Sequence, residues 1–369
     1  MNRKFVSIGG LEVKLGMKAH GYMDVGVLAG GTQVRIPIQV IHGAFDGPRV
    51  CLESGMHGWE PMGTEILRRA LLRVDPAKLR GTIVCLPLTQ PQSMEYGGSV
   101  ESTGTRTSPA DQLDLNKVWP GKHTNAWLTE RIAAVNWDVI RDCECVIDYH
   151  DGTGACNELP VAFPQIFPVN SPIVIGGEAD GTGGAGTHSA MSIERMEELN
   201  SKVIGMAKAF GSIAIWLRDK NPLTPTMLNG CCMTNNIPCL VVEAGGGSQL
   251  DNTITPAVEC TLNLLRHLDM IDGDLILPSK QIMVDNYLVY RSYMGGFFIP
   301  EAGYALGSVV TKGQVLGKVL DPFTSEVREE CVSPINGWLI STRIRMPINP
   351  GGYIAHIADT DRIIWERGS

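Results

Sequence analysis

Four short segments constrain the fold of this chain more than anything else in it: residues 49–52, 82–88 (TIVCLPL), 145–149 (CVIDY) and 239–242 (CLVV). Each is apolar at nearly consecutive positions. A strand with one wet face alternates apolar and polar residues, whereas a strand covered on both faces does not need to. Windows of helical spacing lie between the segments, at residues 61–74 (PMGTEILRRALLRV) and 194–210. The expected fold class is therefore α/β, with a mixed, mostly parallel sheet flanked by helices. In such sheets, ligands gather where the strands end, at their carboxyl termini.

The two ends of the chain read differently from this middle. Residues 1 to 45 alternate in the manner of strands, as in residues 32–41 (TQVRIPIQVI). After about Asp274 the texture is all β, at residues 284–293, 308–320 and 337–345, with Gly and Pro as punctuation and no helical window. A boundary between Asp269 and Pro278 follows, giving a catalytic unit at residues 1–275 and a small C-terminal β-domain at residues 276–369. A chain of 369 residues that is 44% hydrophobic can supply both cores.

Charge and composition narrow the partners. A formal charge of -8 argues against a surface that tracks phosphates, so nucleic acid is not an expected partner. The N-terminal stretch MNRKFVSIGGLEVKLG lacks the apolar run of a secretory signal, and no segment approaches the ~18 apolar residues that span a bilayer. A soluble cytoplasmic protein without a membrane partner is expected. The ten cysteines contain no CxxC pair and read as reduced, buried thiols. The Gly-rich stretch at residues 176–186 lacks the Gly-Lys-Ser/Thr of a phosphate loop and reads as a surface or lid loop. Oligomeric state is left open, with a homo-oligomer among the outcomes.

Polar residues with metal-binding chemistry fall at the ends of the buried strands. The turn after residue 52 reads Glu53-Ser54-Gly55-Met56-His57-Gly58-Trp59-Glu60, where a strand hands over to a helix. Residues three apart at a helix start project to one side, so His57 and Glu60 can reach one ion. A lone pair of this kind also occurs by chance. His150 follows another strand, in Asp148-Tyr149-His150-Asp151-Gly152, where a satisfied strand-end histidine is the plainer reading. Together the three make a His₂Glu set that leaves a fourth tetrahedral position to solvent, and one Zn²⁺ per chain is the expected cofactor. Asp148 either orients a ligand from behind or caps a turn.

Zinc polarises a carbonyl oxygen and brings the pKa of its water to about 7, which is what amide cleavage requires. Glu243 ends a fourth strand just before Gly245, Gly246 and Gly247, where backbone can approach a ligand closely. It suits a general base whose pKa burial raises, or else accepts loop N–H bonds.

With these residues in place, the chain resembles the succinylglutamate desuccinylase/aspartoacylase family of zinc deacylases, which is related to the zinc carboxypeptidases. The likeness includes His57-Gly58-Trp59-Glu60, the segment Asp114-Leu115-Asn116-Lys117-Val118-Trp119-Pro120-Gly121, the His150 strand end, and Glu243 before its glycines. The resemblance implies hydrolysis of an N-acyl amino acid, or a similar small-molecule amide. It matches His57, Glu60 and His150 to the metal ligands and Glu243 to the catalytic carboxylate. Asn116 matches the asparagine that binds the substrate carboxylate, and Arg106 the arginine that stabilises the oxyanion.

Lys117 stands where the family has arginine, so a point charge replaces a two-pronged fork at that substrate-binding position. Trp119, where phenylalanine is more usual, points to a reshaped pocket. Residues 291–358 look like the small β-domain that narrows the active site of such deacylases. They also resemble biotinyl and lipoyl carriers, but Arg345-Met346-Pro347 offers no lysine for a swinging arm. Tyr293 is expected to pack rather than to reach the cleft. The competing functions are a carboxypeptidase acting on short peptides and a metal-binding module without catalysis.

Overall fold

The computed structural model describes residues 4–96, 104–168, 191–219, 223–246 and 251–368, and the Gly-rich stretch at residues 176–186 lies outside them. Four strands open the chain: β1 (Phe5–Ile8), β2 (Leu11–Lys14), β3 (Met17–Val27) and β4 (Gln33–His42). The α/β stretch follows with β5 (Phe45–Ser54), α1 (Met62–Leu72), β6 (Arg80–Leu86), α2 (Pro91–Glu95), α3 (Leu128–Ile140) and β7 (Cys145–His150). It continues through β8 (Cys156–Phe163), α4 (Ile193–Phe210), β9 (Ala214–Trp216), α5 (Leu228–Thr234), β10 (Cys239–Gly245) and α6 (Asp251–His267). The remainder is β11 (Gln281–Val284), β12 (Tyr287–Arg291), β13 (Gly296–Pro300), β14 (Val309–Val310) and β15 (Val315–Leu320), then β16 (Val327–Val332), β17 (Gly337–Arg343), β18 (Pro347–Ile348), β19 (Tyr353–Asp359) and β20 (Ile363–Arg367).

Most strands join one mixed sheet whose main path runs β12-β19-β17-β8-β10-β7-β5-β6-β4-β3. Its centre, from β6 through β5 and β7 to β10, is parallel, and these are the four segments that the sequence shows as doubly apolar. The reason is visible in the packing. Val50, Leu52, Ile147, Tyr149 and Val242 face one core, with Ile66 and Leu67 of α1 and Leu264 of α6. Cys51, Val84 and Val146 face a second core on the other side, with Ile132 of α3 and Leu228 of α5. Each such aliphatic side chain contributes ~1.5–3 kcal/mol by leaving water.

The all-β texture after residue 275 is seen in β11 to β20, and part of it forms a separate four-stranded sheet, β16-β15-β13-β18. The rest continues the main sheet. β17 pairs antiparallel with β8, β19 pairs with β17, and β11 lies parallel to β9. Among the described residues, no helix is long and apolar enough to cross a membrane.

Candidate metal centre and active site

Strand parity decides which side chains meet. On β7 and β10, Tyr149, Val242 and Ala244 turn toward the core beneath α1 and α6. Successive residues of a strand face opposite ways, so His150 and Glu243 turn to the other side. The two are register partners on adjacent parallel strands, which brings both functional groups to one strand end.

His57 and Glu60 come from the connection between β5 and α1. Gly58 lets that connection pass close to the chain at Ser93, because a Cβ there would lie 1.8 Å from the Ser93 carbonyl oxygen. Asp151 ties the His150 strand end to the start of α1: its carboxylate accepts the Met62 N–H at 2.9 Å and the Thr153 N–H at 2.7 Å.

The donor atoms of His57, Glu60 and His150 lie within 4.8 Å of one another, and all three residues are buried. Nδ1 of His57 is 3.0 Å from Glu60 Oε2, and Nδ1 of His150 is 2.6 Å from the same oxygen. The outward nitrogens face carboxylates as well. His57 Nε2 is 3.1 Å from Asp114 Oδ1, and His150 Nε2 is 3.0 Å from Asp148 Oδ1.

Two imidazoles that present one nitrogen inward and give the other to a carboxylate fit a divalent metal, because such outer carboxylates fix ring orientation and raise ligand basicity. The set of two nitrogens and one oxygen suits zinc. Burial would raise the Glu60 pKa, yet the His57 and His150 imidazoles outweigh it and hold the carboxylate well below its usual range. Burial would lower the His150 pKa, but Asp148 and Glu60 raise it on balance. Behind Asp148 lies Glu53, wholly buried on the neighbouring strand; its pKa is raised by burial and then by Asp148.

These groups open onto a cleft of about 300 Å³, at the small end for ligand sites and suited to a small molecule. Glu243 lines it beside His150, and its pKa is raised well above the usual carboxylate range by burial and then by the neighbouring Glu158. Gly246 is needed where it stands: at a φ of +117°, it passes the Cys156 carbonyl oxygen so closely that a Cβ would lie 2.2 Å away. Arg106 lines the cleft with its Nε 3.0 Å from Asp114 Oδ2, so Asp114 links the guanidinium to the His57 ring. Asn116 lines the cleft too. Its Oδ1 accepts the Leu228 N–H at 3.0 Å, which fixes the orientation of the amide.

Three expectations from the sequence meet a different placement. Lys117 is exposed at the end of a short 3₁₀ turn and does not line the cleft that Asn116 lines, because adjacent residues of a turn point apart. Trp119 is only 2% exposed and packs in the core with Leu115 and Ile132, so it fills the interior rather than shaping the pocket. Tyr293 is 83% exposed, so it neither packs nor reaches the cleft.

Sequence reasoning assigned no role to Asp114, and passed over Glu158, Trp216, Arg218, Tyr287 and His356 altogether. All but Asp114 and Glu158 line the cleft. Asp114, within the quoted Asp114-Leu115-Asn116 segment, is the one that a search for outer partners of histidine ligands could have found.

The fold and the cleft have counterparts among known proteins. Residues 46–169 match the family model of the succinylglutamate desuccinylase/aspartoacylase catalytic domain, a span that contains His57, Glu60, Arg106, Asn116 and His150. Over that span the chain is similar to the family's catalytic domain.

A curated relative of this chain is the N-alpha-acetyl-L-2,4-diaminobutyric acid deacetylase of Halomonas elongata, 26% identical over 336 residues, covering 88% of this chain and 86% of the relative. The succinylglutamate desuccinylase of Silicibacter sp. TM1040 superposes with a TM-score of 0.73 at 19% identity, covering 94% of this chain and 97% of that one. A product-bound structure of the ectoine utilization protein EutE (DoeB) from Ruegeria pomeroyi gives the same TM-score of 0.73 at 19% identity, covering 98% of this chain and 100% of that one. These solved structures share the desuccinylase/aspartoacylase fold.

Proposed function

We propose that this protein is a cytoplasmic zinc-dependent deacylase that hydrolyses the amide bond of an N-acyl amino acid or a similar small amide. The observation that carries the reading is the convergence of the His57, Glu60 and His150 donors at the strand end where Glu243 opens into the same cleft. The deacetylase name of the curated relative supports an N-acyl substrate. Ten free, buried cysteines agree with a reducing compartment. In this reading residues 1–275 hold the metal and Glu243, and residues 276–369 form a C-terminal β-domain that supplies one wall of the cleft.

His57, Glu60 and His150 hold the ion. When bound, zinc supplies Lewis acidity, polarising the scissile carbonyl and acidifying water toward a pKa of about 7. Glu243 takes a proton from the attacking water and returns it to the departing amine nitrogen, a task suited to a carboxyl whose pKa is raised toward neutrality. Arg106, steadied by Asp114, meets the carbonyl oxygen as charge builds on it. Asn116 orients the substrate from the adjoining wall.

The decisive assay gives zinc-loaded protein N-acetyl, N-succinyl and N-formyl amino acids, small lactams and dipeptides, and reads released amine with and without a chelator. Chelator-sensitive release from an N-acyl amino acid is expected. A preference for dipeptides would instead make the protein a carboxypeptidase.

Arg218, rather than Lys117, is a cation that the cleft offers a substrate carboxylate, on a wall that also carries Arg291. It is half-buried, its guanidinium lies 5.2 Å from the Trp216 ring centroid, and its Nε has no hydrogen-bond partner among the described residues. Arg218→Met is expected to raise KM for an N-acetyl amino acid roughly 10- to 100-fold, the value of a hydrogen bond to a charged group. The matching carboxamide should lose little. An equal loss on both substrates would remove Arg218 from carboxylate recognition.

A further inference from the structure

Behind the residues that line the cleft, beside Glu243, lies a buried carboxylate. Glu158, on β8, is 0% exposed and does not line the cleft. Its Oε1 accepts two hydrogen bonds, from Tyr287 Oη at 2.9 Å and from His356 Nδ1 at 3.0 Å. The donor atoms of Glu158, Glu243 and His356 lie within 4.8 Å of one another. Glu243, Tyr287 and His356 all line the cleft, yet they sit on three different strands: β10, β12 and β19. Glu158 is the one group that all three share.

The strand register shows how Glu158 reaches that place. Glu243 pairs with Val161, but Gly245 pairs with Glu158, so β8 carries one extra residue between the two pairings. A bulge of this kind re-aims side chains and is common beside active sites. β17, which pairs Ser341 with Glu158, has its own register shift against β19, between Leu339 and Ser341, beside the His356 pairing. Two irregular ladders therefore flank one buried acid.

Burying a carboxylate is costly unless hydrogen bonds compensate, and Glu158 Oε2 has no partner among the described residues. An apolar side chain would fill the same space without that cost. Keeping an acid there has a physical rationale only in what it does for its neighbours. The two donors on Oε1 fix Tyr287 Oη and set Nδ1 of His356 as a hydrogen-bond donor.

We propose that Glu158 is a positioning residue for the hydrolysis: it fixes Tyr287 and His356 in one arrangement beside Glu243 and so joins the C-terminal strands to the wall around the general base. This rests on the deacylase reading given above. Glu158 makes its contribution through Glu243 and the wall, not by contact with the reacting atoms.

The test compares wild type with Glu158→Gln and Glu158→Leu, all loaded with zinc and all measured for zinc content. Glu158→Gln is expected to keep its metal and its KM within about 3-fold, and to lose at least about 10-fold in kcat, the scale on which outer-shell partners act. Its kcat should also persist to lower pH, because Glu158 raises the Glu243 pKa and would no longer do so. A residue that merely filled space would lower thermal stability and leave that pH limb in place. The crystal structure of Glu158→Leu should show Tyr287 and His356 turned from their present positions with His57, Glu60 and His150 unmoved. This last readout needs no substrate, so it stands even if wild type cleaves nothing in the panel, a result that would sink the deacylase reading alone. Wild-type kcat and pH dependence in Glu158→Gln, or an unmoved Tyr287 and His356 in Glu158→Leu, would overturn the proposal.

Discussion

Glu243→Gln binds zinc as wild type does and turns over at least about 100-fold more slowly, the lower end of what general acid–base catalysis contributes. Glutamine keeps the size of the side chain and can still accept a hydrogen bond, but it cannot carry the proton from water to the amine. The wild-type pH profile gives a second check. Burial first, and Glu158 next, hold the Glu243 carboxyl above the usual carboxylate range. A base must be ionised, so kcat is full above this raised pKa and falls as pH drops through it. The variant should have lost that limb. Wild-type turnover in zinc-replete Glu243→Gln, measured at the pH where wild type is fastest, would take Glu243 out of the chemistry.

His57→Ala is expected to lose the metal itself. His57 faces Glu60 with one nitrogen and Asp114 with the other, so alanine removes a donor and takes one partner from each of these carboxylates. Loss of an outer-shell partner costs 10–100-fold in metal affinity, and loss of a ligand should therefore exceed about 100-fold. Elemental analysis after dialysis should find zinc at well under one ion per chain, with amide hydrolysis absent. Undiminished zinc in that variant would mean that the ion sits elsewhere.

The parts of the site that could be read from the sequence are those carried by local patterns. Residues 49–52, 82–88, 145–149 and 239–242 read as doubly buried strands because their neighbours in the sheet demand apolar side chains on both faces, and they form the parallel centre. His57, Glu60 and His150 were legible because each stands next to such a strand end. Arg106 and Asn116 came through the motif resemblance, and both line the cleft.

What remained hidden depends on which distant strands pair. Tyr287 and His356 are an ordinary tyrosine and histidine in strand-like surroundings, and only the antiparallel pairing of β12 with β19 puts them side by side. Glu158 needs an extra residue in its ladder to meet Glu243, which no periodicity records. Lys117 went astray for the opposite reason. A motif carries residue types forward, but whether a side chain faces solvent or cleft turns on one backbone angle.

The main sheet runs without a break from the strands that present His150 and Glu243 into β17 and β19. A truncated protein ending near residue 275 would leave β8 without its β17 pairing at residues 156–158 and would lack the part of the cleft wall made by Tyr287, Arg291, Tyr353 and His356. The continuity also divides the labour along the chain. Exchanging the distal strands between relatives would alter which molecules are accepted while leaving the grip on the ion to the first half of the polypeptide.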